Sequence, residues 1–204
     1  MSVTHANTAG YRMIMLFQAA CRSALAVCLG IMLTSCAPAT PPAQPLPDPV
    51  TSNAEQLVAK ARILWGHNET CSNPEQAIAY LNSALELTPA NAYALLLRGR
   101  AYNQLNLAEK AFEDLTSSIR LAPTTEAYTW RAFVLLREGN LRGARVDLES
   151  AFSLGGDLRH AYNIRGLLHL EEGDESAACD DFEDGADAGS PVWFDKARQA
   201  GLCR

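Results

Sequence analysis

Apolar residues recur at intervals of three and four along residues 92–123, in two runs separated by a short polar stretch. One face of an α-helix shows this spacing, so each run predicts an amphipathic helix. The two apolar faces consist of Leu95, Gly99 and Tyr102, and of Ala111, Leu115 and Ile119. Between them, Asn106 and Glu109 have the spacing of a helix-capping pair. The segment therefore predicts two antiparallel helices joined by a tight turn.

The same pattern returns elsewhere in the chain at a nearly constant interval, which predicts a tandem array. The corresponding positions are Ala77 and Leu81; Gly99, Ala111 and Leu115; Ala132, Ala144 and Leu148; and Gly166, Ala178 and Phe182. We expect an all-α domain over residues 53–204. Its repeats lie near 54–89, 91–123, 125–156 and 158–190. Helix-start signals at Asn73-Pro74, Gly139-Asn140 and Gly173-Asp174 support these boundaries.

The repeat unit resembles the tetratricopeptide-repeat (TPR) motif. The resemblance rests on small residues at Gly99 and Ala111, a large apolar residue at Leu115 and a closing Pro123. It covers residues 54–190 and implies about four helical hairpins followed by a capping helix. It also implies a surface that binds a protein or peptide partner, without indicating which partner.

A second regularity is an Arg and an Asp placed symmetrically about each inter-helix turn, always with the same separation. The pairs are Arg98 and Asp114, Arg131 and Asp147, and Arg165 and Asp181. Residues equidistant from the turn of a helical hairpin lie at the same level along its two helices. We expect one intra-repeat ion pair per hairpin, with a structural role. The alternative is that these residues are unrelated surface charges.

The TPR resemblance implies a partner-binding groove lined by the first helix of each repeat. With Gly99 setting the frame, the inward positions are Tyr93, Leu96, Arg100, Asn103, Thr129, Phe133, Arg137, His160, Asn163 and Leu167. Tyr93 and Phe133 would supply apolar anchors, the cations charge, and the Asn amides bonds to a peptide backbone. The alternative is that some of these side chains pack against neighbouring repeats or the proline-rich segment.

Residues 1–35 have the character of a signal peptide, because Arg22 precedes an apolar run over 23–33. The run ends in Leu33-Thr34-Ser35-Cys36, which resembles a bacterial lipobox. That resemblance implies cleavage before Cys36 and acylation of Cys36, which would anchor the chain to a membrane. Ala37 after the cysteine favours the outer membrane, facing the periplasm. The alternative is a secretory signal cleaved elsewhere, and either Met1 or Met13 serves as the start.

Residues 36–52 predict a tether. Proline occupies nearly every second position between Ala37 and Val50, which prevents regular helix or sheet. A segment of this composition extends by about 3 Å per residue. We therefore expect the helical domain to stand away from the membrane.

The cysteines beyond Cys36 are Cys71, Cys179 and Cys203. An oxidising compartment favours pairing, and Cys179 and Cys203 lie in the last repeat and at the end of the predicted capping helix at 191–203. We expect a disulfide between them that fastens the cap, the alternative being two free thiols. Cys71 would then be unpaired, buried or bonded to a partner.

The charge distribution and the lack of catalytic or metal-binding motifs argue against several classes of function. The net charge is −6, and from Gly166 onward ten acidic residues oppose three basic ones, which disfavours a nucleic-acid ligand. His67, Glu69 and Cys71 fall short of any zinc-site spacing, and no catalytic motif is present, so we expect no enzyme, metal or cofactor. The sequence thus predicts a lipid-anchored interaction module, an adaptor or assembly factor of the bacterial envelope. The alternative is a self-associating structural lipoprotein, and a metal- or thiol-dependent protein comes third.

Overall fold

The computed structural model describes residues 49–65 and 70–203, and within these ranges the chain forms nine helices and no β-strand. The helices are α1 (Pro49–Ile63), α2 (Pro74–Leu87), α3 (Ala92–Gln104), α4 (Ala108–Leu121), α5 (Thr125–Arg137), α6 (Leu141–Leu154), α7 (Arg159–Glu171), α8 (Glu175–Asp187) and α9 (Val192–Gln199). The predicted all-α fold is confirmed. In this part of the chain no helix has both the length and the apolar character to cross a bilayer.

The helices pack as four consecutive hairpins, α1 with α2, α3 with α4, α5 with α6, and α7 with α8. The second helix of each hairpin also contacts the first helix of the next, and the first helices contact one another along the array. The last helix, α9, packs on α8. The first helices therefore form one continuous layer, which positions their side chains along a common surface.

The N-terminal boundary of the helical domain differs from the prediction. Helix α1 begins at Pro49, inside the segment 36–52 that was expected to be extended throughout. Proline fits the first turn of a helix, because the backbone N–H that it lacks would have no intrahelical acceptor there. The predicted signal peptide, the lipidation site Cys36 and residues 36–48 of the tether lie outside the described residues.

Side-chain caps begin most of the helices. The Asn73, Asn91 and Asn140 side chains each accept a hydrogen bond from a backbone N–H of the first turn, as do those of Thr124 and Asp174. The predicted cap at Asn106 is wrong. Asn106 adopts φ 61° and Leu107 precedes α4 without a side-chain cap. Asn tolerates this left-handed conformation better than most residues, and here it makes the turn.

The core of each hairpin is built on a repeated alanine. Its four copies, all fully buried on the second helices, are Ala77, Ala111, Ala144 and Ala178. One turn later each helix buries a large side chain, Leu81, Leu115, Leu148 or Phe182. The small residue allows the two helix backbones to approach closely. Burial of each large apolar side chain stabilises the folded state by about 2 kcal/mol. The repeated apolar positions thus account for the packing of every hairpin.

The structure brings each Arg–Asp pair into contact. Arg131 Nε and Nη2 donate to the two carboxylate oxygens of Asp147, both at 2.7 Å, and Arg98 contacts Asp114 in the same way, also at 2.7 Å. Arg165 donates to Asp181 through Nε at 2.9 Å. The Asp side chains are only 5 to 10% exposed. Hydrogen bonding to Asp147 raises the pKa of Arg131, so this guanidinium stays charged.

The C-terminal cap is held covalently. Cys179 of α8 and Cys203, beyond the end of α9, form a disulfide with an S–S distance of 2.02 Å. The ring of Trp193, from α9, stacks on the ring of Phe182, from α8, with 6.4 Å between the centroids. The cap thereby covers the end of the last hairpin and carries Trp193 toward α7.

The connection between α1 and α2 is tied to the second hairpin by one amide. Cys71 donates its backbone N–H to Gln104 Oε1 at 2.9 Å, and Gln104 Nε2 donates to the Cys71 carbonyl at 2.7 Å. Trp65, which follows α1, forms an isolated β-bridge with Cys71. This reciprocal bonding fixes Trp65 beside α3, where it contributes to the surface described next.

Candidate functional site

The first helices line a groove made of three adjoining clefts, and Trp130 of α5 lines all three. The N-terminal cleft, of about 210 Å³, lies between α3, α5 and the residues Trp65 and Thr70 that follow α1. The edge cleft, of about 110 Å³, lies at the start of α5 and α7. The C-terminal cleft, of about 350 Å³, lies between α5, α7 and the cap helix α9. Together we call them the groove.

Arg100 forms the floor of the N-terminal cleft. Its side chain is 9% exposed, and its guanidinium carbon lies 5.5 Å from the centroid of Trp65 and 4.6 Å from that of Trp130. Arg100 Nη1 also donates to Glu126 Oε1 at 2.6 Å. The cation therefore lies over two indole rings and is neutralised by a carboxylate. Arg100 thereby links α3 to α5 and to the segment after α1.

Arg137 forms the exposed rim of the same cleft. Its Nη1 donates to the backbone carbonyl of Asn103 at 3.1 Å and to Asn103 Oδ1 at 3.0 Å, and its Nη2 donates to Asn106 Oδ1. The guanidinium carbon lies 5.9 Å from the centroid of the Phe133 ring. Since all these acceptors are uncharged, they orient the guanidinium without cancelling its charge.

The edge cleft is polar and small. It is lined by Glu126, Thr129, Trp130, Asp157 and His160. Its two carboxylates already have partners, Glu126 with Arg100 and Asp157 with Arg159. Hydrogen bonding from Arg159 lowers the pKa of Asp157, which keeps that carboxylate ionised. This end of the groove is consequently close to electrically balanced.

The C-terminal cleft is the largest part of the groove. It is lined by aromatic and aliphatic side chains together with a few polar ones: Thr70, Trp130, Phe133, His160, Asn163, Ile164, Leu167, Ser190, Val192, Trp193 and Lys196. Trp130 packs edge-on against Phe133 and tilted against His160, with 6.0 Å between centroids in both cases. A cleft with such walls can accept a bulky apolar side chain.

Polar groups fix the wall that α9 adds to this cleft. Asn163 of α7 is 1% exposed and donates through Nδ2 to Ser190 Oγ at 2.9 Å. Ser190 lies just before α9, so the bond ties the cap helix to α7. Lys196 lies on α9 with its Nζ 4.9 Å from the centroid of Trp193. The cap thus contributes both an apolar surface and a cation.

Eight of the ten predicted groove residues line the clefts, namely Arg100, Asn103, Thr129, Phe133, Arg137, His160, Asn163 and Leu167. The other two lie elsewhere. Leu96 is 3% exposed and packs with Leu115 and Val134 in the core, because α5 covers that face of α3. Tyr93 is 43% exposed at the start of α3, outside the three clefts.

The three tryptophans of the groove were not among the predicted groove residues. Trp130 precedes Phe133 and Arg137 by about one and two helical turns, so helical spacing alone places these three on one face. That signal was available in the sequence. Trp65 and Trp193 lie outside the first helices of the inner repeats, and only packing brings them to the groove. Trp193 belongs to the predicted capping helix, and its ring also stacks on Phe182 of the last repeat.

The described residues offer little for other chemistry. Among them, no group of three or more His, Cys, Asp or Glu side chains is arranged to hold a metal ion. The free thiol of Cys71 is buried, and burial raises its pKa above the usual range, which lowers its reactivity. The Cys71 side chain is therefore a structural feature of the α1–α2 connection.

Comparisons with known proteins agree on the repeat. Residues 72–125 match the family described as tetratricopeptide repeat. A search of curated proteins returned no match. Solved structures do match. PilF of Pseudomonas aeruginosa is 16% identical with a TM-score of 0.58, covering 75% of this chain and 72% of that one.

Two further structures show the same similarity. MamA is 22% identical with a TM-score of 0.53, covering 68% of this chain and 73% of its own. YrrB, described as a TPR protein with an unusual peptide-binding site, is 18% identical with a TM-score of 0.51, covering 74% of this chain and 84% of its own. At these identities the likeness concerns the fold. The predicted TPR fold is therefore confirmed for the described domain.

Proposed function

We propose that this protein is a membrane-anchored protein–protein interaction module of the bacterial cell envelope, in which the groove binds an extended segment of a partner protein. The observation that carries this proposal is the continuous aromatic surface along the first helices, with Trp130 shared by all three clefts. Aromatic side chains that are held rigidly lose little entropy on binding, which suits them as anchors.

The arrangement of polar groups supports binding of a peptide. Arg137, Asn163 and Lys196 are placed around the apolar surface, as expected where a few polar contacts orient a ligand. TPR folds serve as interaction scaffolds, and YrrB is described as having a peptide-binding site. By analogy, the partner segment would lie across α3, α5 and α7.

Site-specific photocrosslinking in intact cells tests this function. A photoreactive amino acid at Leu167, inside the C-terminal cleft, should yield crosslinks to a partner protein. The matched position is Val146 of α6, which is 54% exposed and lies outside the groove. The Leu167 crosslink should disappear when Phe133→Ala is added, provided thermal unfolding shows that this variant is folded. If Val146 crosslinked as strongly as Leu167, the interface would lie elsewhere. The same conclusion would follow if the Leu167 crosslink persisted in the Phe133→Ala variant.

The anchoring part of the proposal rests on the resemblance of Leu33-Thr34-Ser35-Cys36 to a lipobox. Cells expressing the protein can be fed an alkyne-labelled fatty acid, followed by fractionation of the two membranes. We expect label on the wild-type protein in the outer-membrane fraction. The Cys36→Ser variant should carry no label and leave that fraction. Labelling of the Cys36→Ser variant would contradict this anchor.

Self-association is a second candidate, and a specific observation favours it. Val146 and Leu154 of α6 are 54% and 51% exposed, and they line a depression of about 410 Å³ between α5 and α6. Exposed apolar surface of this kind is a common feature of contacts between copies. Sedimentation at several concentrations in detergent would detect it. A dimer that dissociates on Val146→Glu but not on Phe133→Ala would favour this alternative.

A further inference from the structure

The charges around the groove are not balanced uniformly. At the edge cleft every carboxylate faces a cation, since Glu126 pairs with Arg100 and Asp157 with Arg159. The other two clefts differ, because Arg137 and Lys196 form no ion pair with any described residue. Each is held instead over an aromatic ring, Phe133 for Arg137 and Trp193 for Lys196. Two cations therefore remain at the groove with their charge uncompensated.

These two cations lie on different sides of one apolar centre. Trp130 and Phe133 line both the N-terminal cleft, which contains Arg137, and the C-terminal cleft, which contains Lys196. Passing along the groove, one meets a cation, then the two aromatic rings, then a second cation. The neutral oxygens of Asn103 and Asn106 hold Arg137 in place, so its position does not depend on a ligand.

The bonding of Arg137 leaves capacity for a further acceptor. A guanidinium has five N–H donors, and three hydrogen bonds to Asn103 and Asn106 are formed. An ammonium has three donors, and Lys196 is exposed at the cleft. The strongest acceptor that an unmodified peptide offers either cation is a carboxylate, because a charge-assisted bond is shorter and stronger than a neutral one.

From these observations we infer that the groove accepts an extended peptide segment in which one bulky apolar side chain is flanked on both sides by carboxylates. The apolar side chain lies between Trp130, Phe133 and Leu167, and the carboxylates pair with Arg137 and Lys196. The inference rests on the proposed function and specifies its ligand. It does not require a free carboxyl terminus, since the two cations lie on opposite sides of the anchor.

The test uses the full chain in detergent and four fluorescent nonapeptides, each acetylated and amidated so that neither end carries a charge. The first has Phe at its centre and Glu on both sides. The second replaces Glu with Gln, the third replaces Glu with Lys, and the fourth replaces the central Phe with Ser. Fluorescence anisotropy gives the dissociation constants. We expect the Glu–Phe peptide to bind about fivefold more tightly than the Gln peptide, and the Lys and Ser peptides to bind most weakly.

Variants separate the contribution of each cation. Arg137→Gln and Lys196→Gln should each weaken binding of the Glu–Phe peptide about threefold and weaken binding of the Gln peptide by less. The matched controls are Lys110→Gln and Arg142→Gln, which remove exposed cations outside the three clefts and should change neither peptide. Added salt should weaken only the Glu–Phe peptide, because these ion pairs are exposed to solvent.

Equal binding of the Glu and Gln peptides, or no effect of both cation variants, would overturn this inference. The proposed function would survive that result if binding still required Phe133. Absence of binding by all four peptides would also overturn the inference, and the crosslinking experiment at Leu167 would then decide the proposed function separately.

Discussion

The guanidinium carbon of Arg100 lies 4.6 Å from the centroid of the Trp130 ring, and the same cation lies 5.5 Å from the centroid of Trp65. The three residues come from α3, from α5 and from the segment after α1. Because Arg100 also pairs with Glu126, one side chain connects three hairpins beneath the groove.

Replacing Arg100 with Lys should destabilise the domain although it keeps the charge. A lysine ammonium cannot stack its plane against two indole rings, so we expect a loss of about 1 kcal/mol in the free energy of unfolding. Urea denaturation followed by circular dichroism measures the loss. Glu126→Gln, which leaves the stack intact, is the control and should cost less. A larger effect of Glu126→Gln would show that the ion pair outweighs the stacking.

Asp147→Ala should be among the most damaging single changes in a charged residue. It removes both carboxylate oxygens from Arg131 and leaves a partly buried guanidinium without its counterion. We expect the free energy of unfolding to fall by about 2 to 3 kcal/mol.

The matched control for Asp147→Ala is Glu172→Ala. It breaks the pair between Arg145 and Glu172, whose side chains are 47% and 27% exposed. That change should cost under about 0.5 kcal/mol. Equal midpoints of urea denaturation for the two variants would refute the structural role assigned to the repeated Arg–Asp pairs.

Gly166→Ala should strain the last hairpin. A Cβ at this position would lie 2.6 Å from Phe182 Cε1 and 3.1 Å from the Ala178 carbonyl oxygen. We expect a loss of about 1 to 3 kcal/mol from overpacking. Adding Phe182→Leu reproduces the Ala132 and Leu148 combination of the preceding hairpin and should restore part of the stability. A double variant less stable than Gly166→Ala alone would contradict this reading of the close contact.

Cys203→Ser should loosen the cap helix. The disulfide closes a loop with a sequence separation of 24, so its loss should cost about 3 kcal/mol in the loop-entropy view. The emission of Trp193 should shift to longer wavelength as α9 leaves α8. A reducing agent should reproduce the shift in the wild type and add nothing in Cys203→Ser. If neither Cys203→Ser nor reduction of the wild type changed the melting temperature, packing alone would hold the cap.

Cys71 should react slowly with alkylating reagents in the folded chain. Burial raises the pKa of its thiol, so the thiolate fraction at mildly alkaline pH is smaller than for an exposed cysteine. Iodoacetamide labelling followed by peptide mapping should show modification of Cys71 at least about tenfold slower before than after denaturation in urea. Equal rates in the two conditions would mean that the thiol is accessible in the folded protein.

Local patterns carried most of the information about architecture. The spacing of Ala111 and Leu115 recurs at a nearly constant interval along the chain. This was enough to predict hairpins in tandem, because each copy of the pattern forms the same pair of packed helices. The symmetric placement of Arg98 and Asp114 about their turn likewise anticipated a contact that the structure shows. Both relationships lie within one hairpin, where distance along the chain sets distance in space.

The spacing of apolar residues did not predict how separate hairpins contact one another. Leu96 and Arg100 lie one helical turn apart on α3, yet α5 buries the first in the core and the second lies over the Trp65 and Trp130 rings. The left-handed backbone of Asn106 and the hydrogen bonds between Gln104 and Cys71 likewise cannot be predicted from helical spacing. One-dimensional spacing establishes which side chains share a face. Which of those faces are covered and which form the groove depends on how each helix lies on the next.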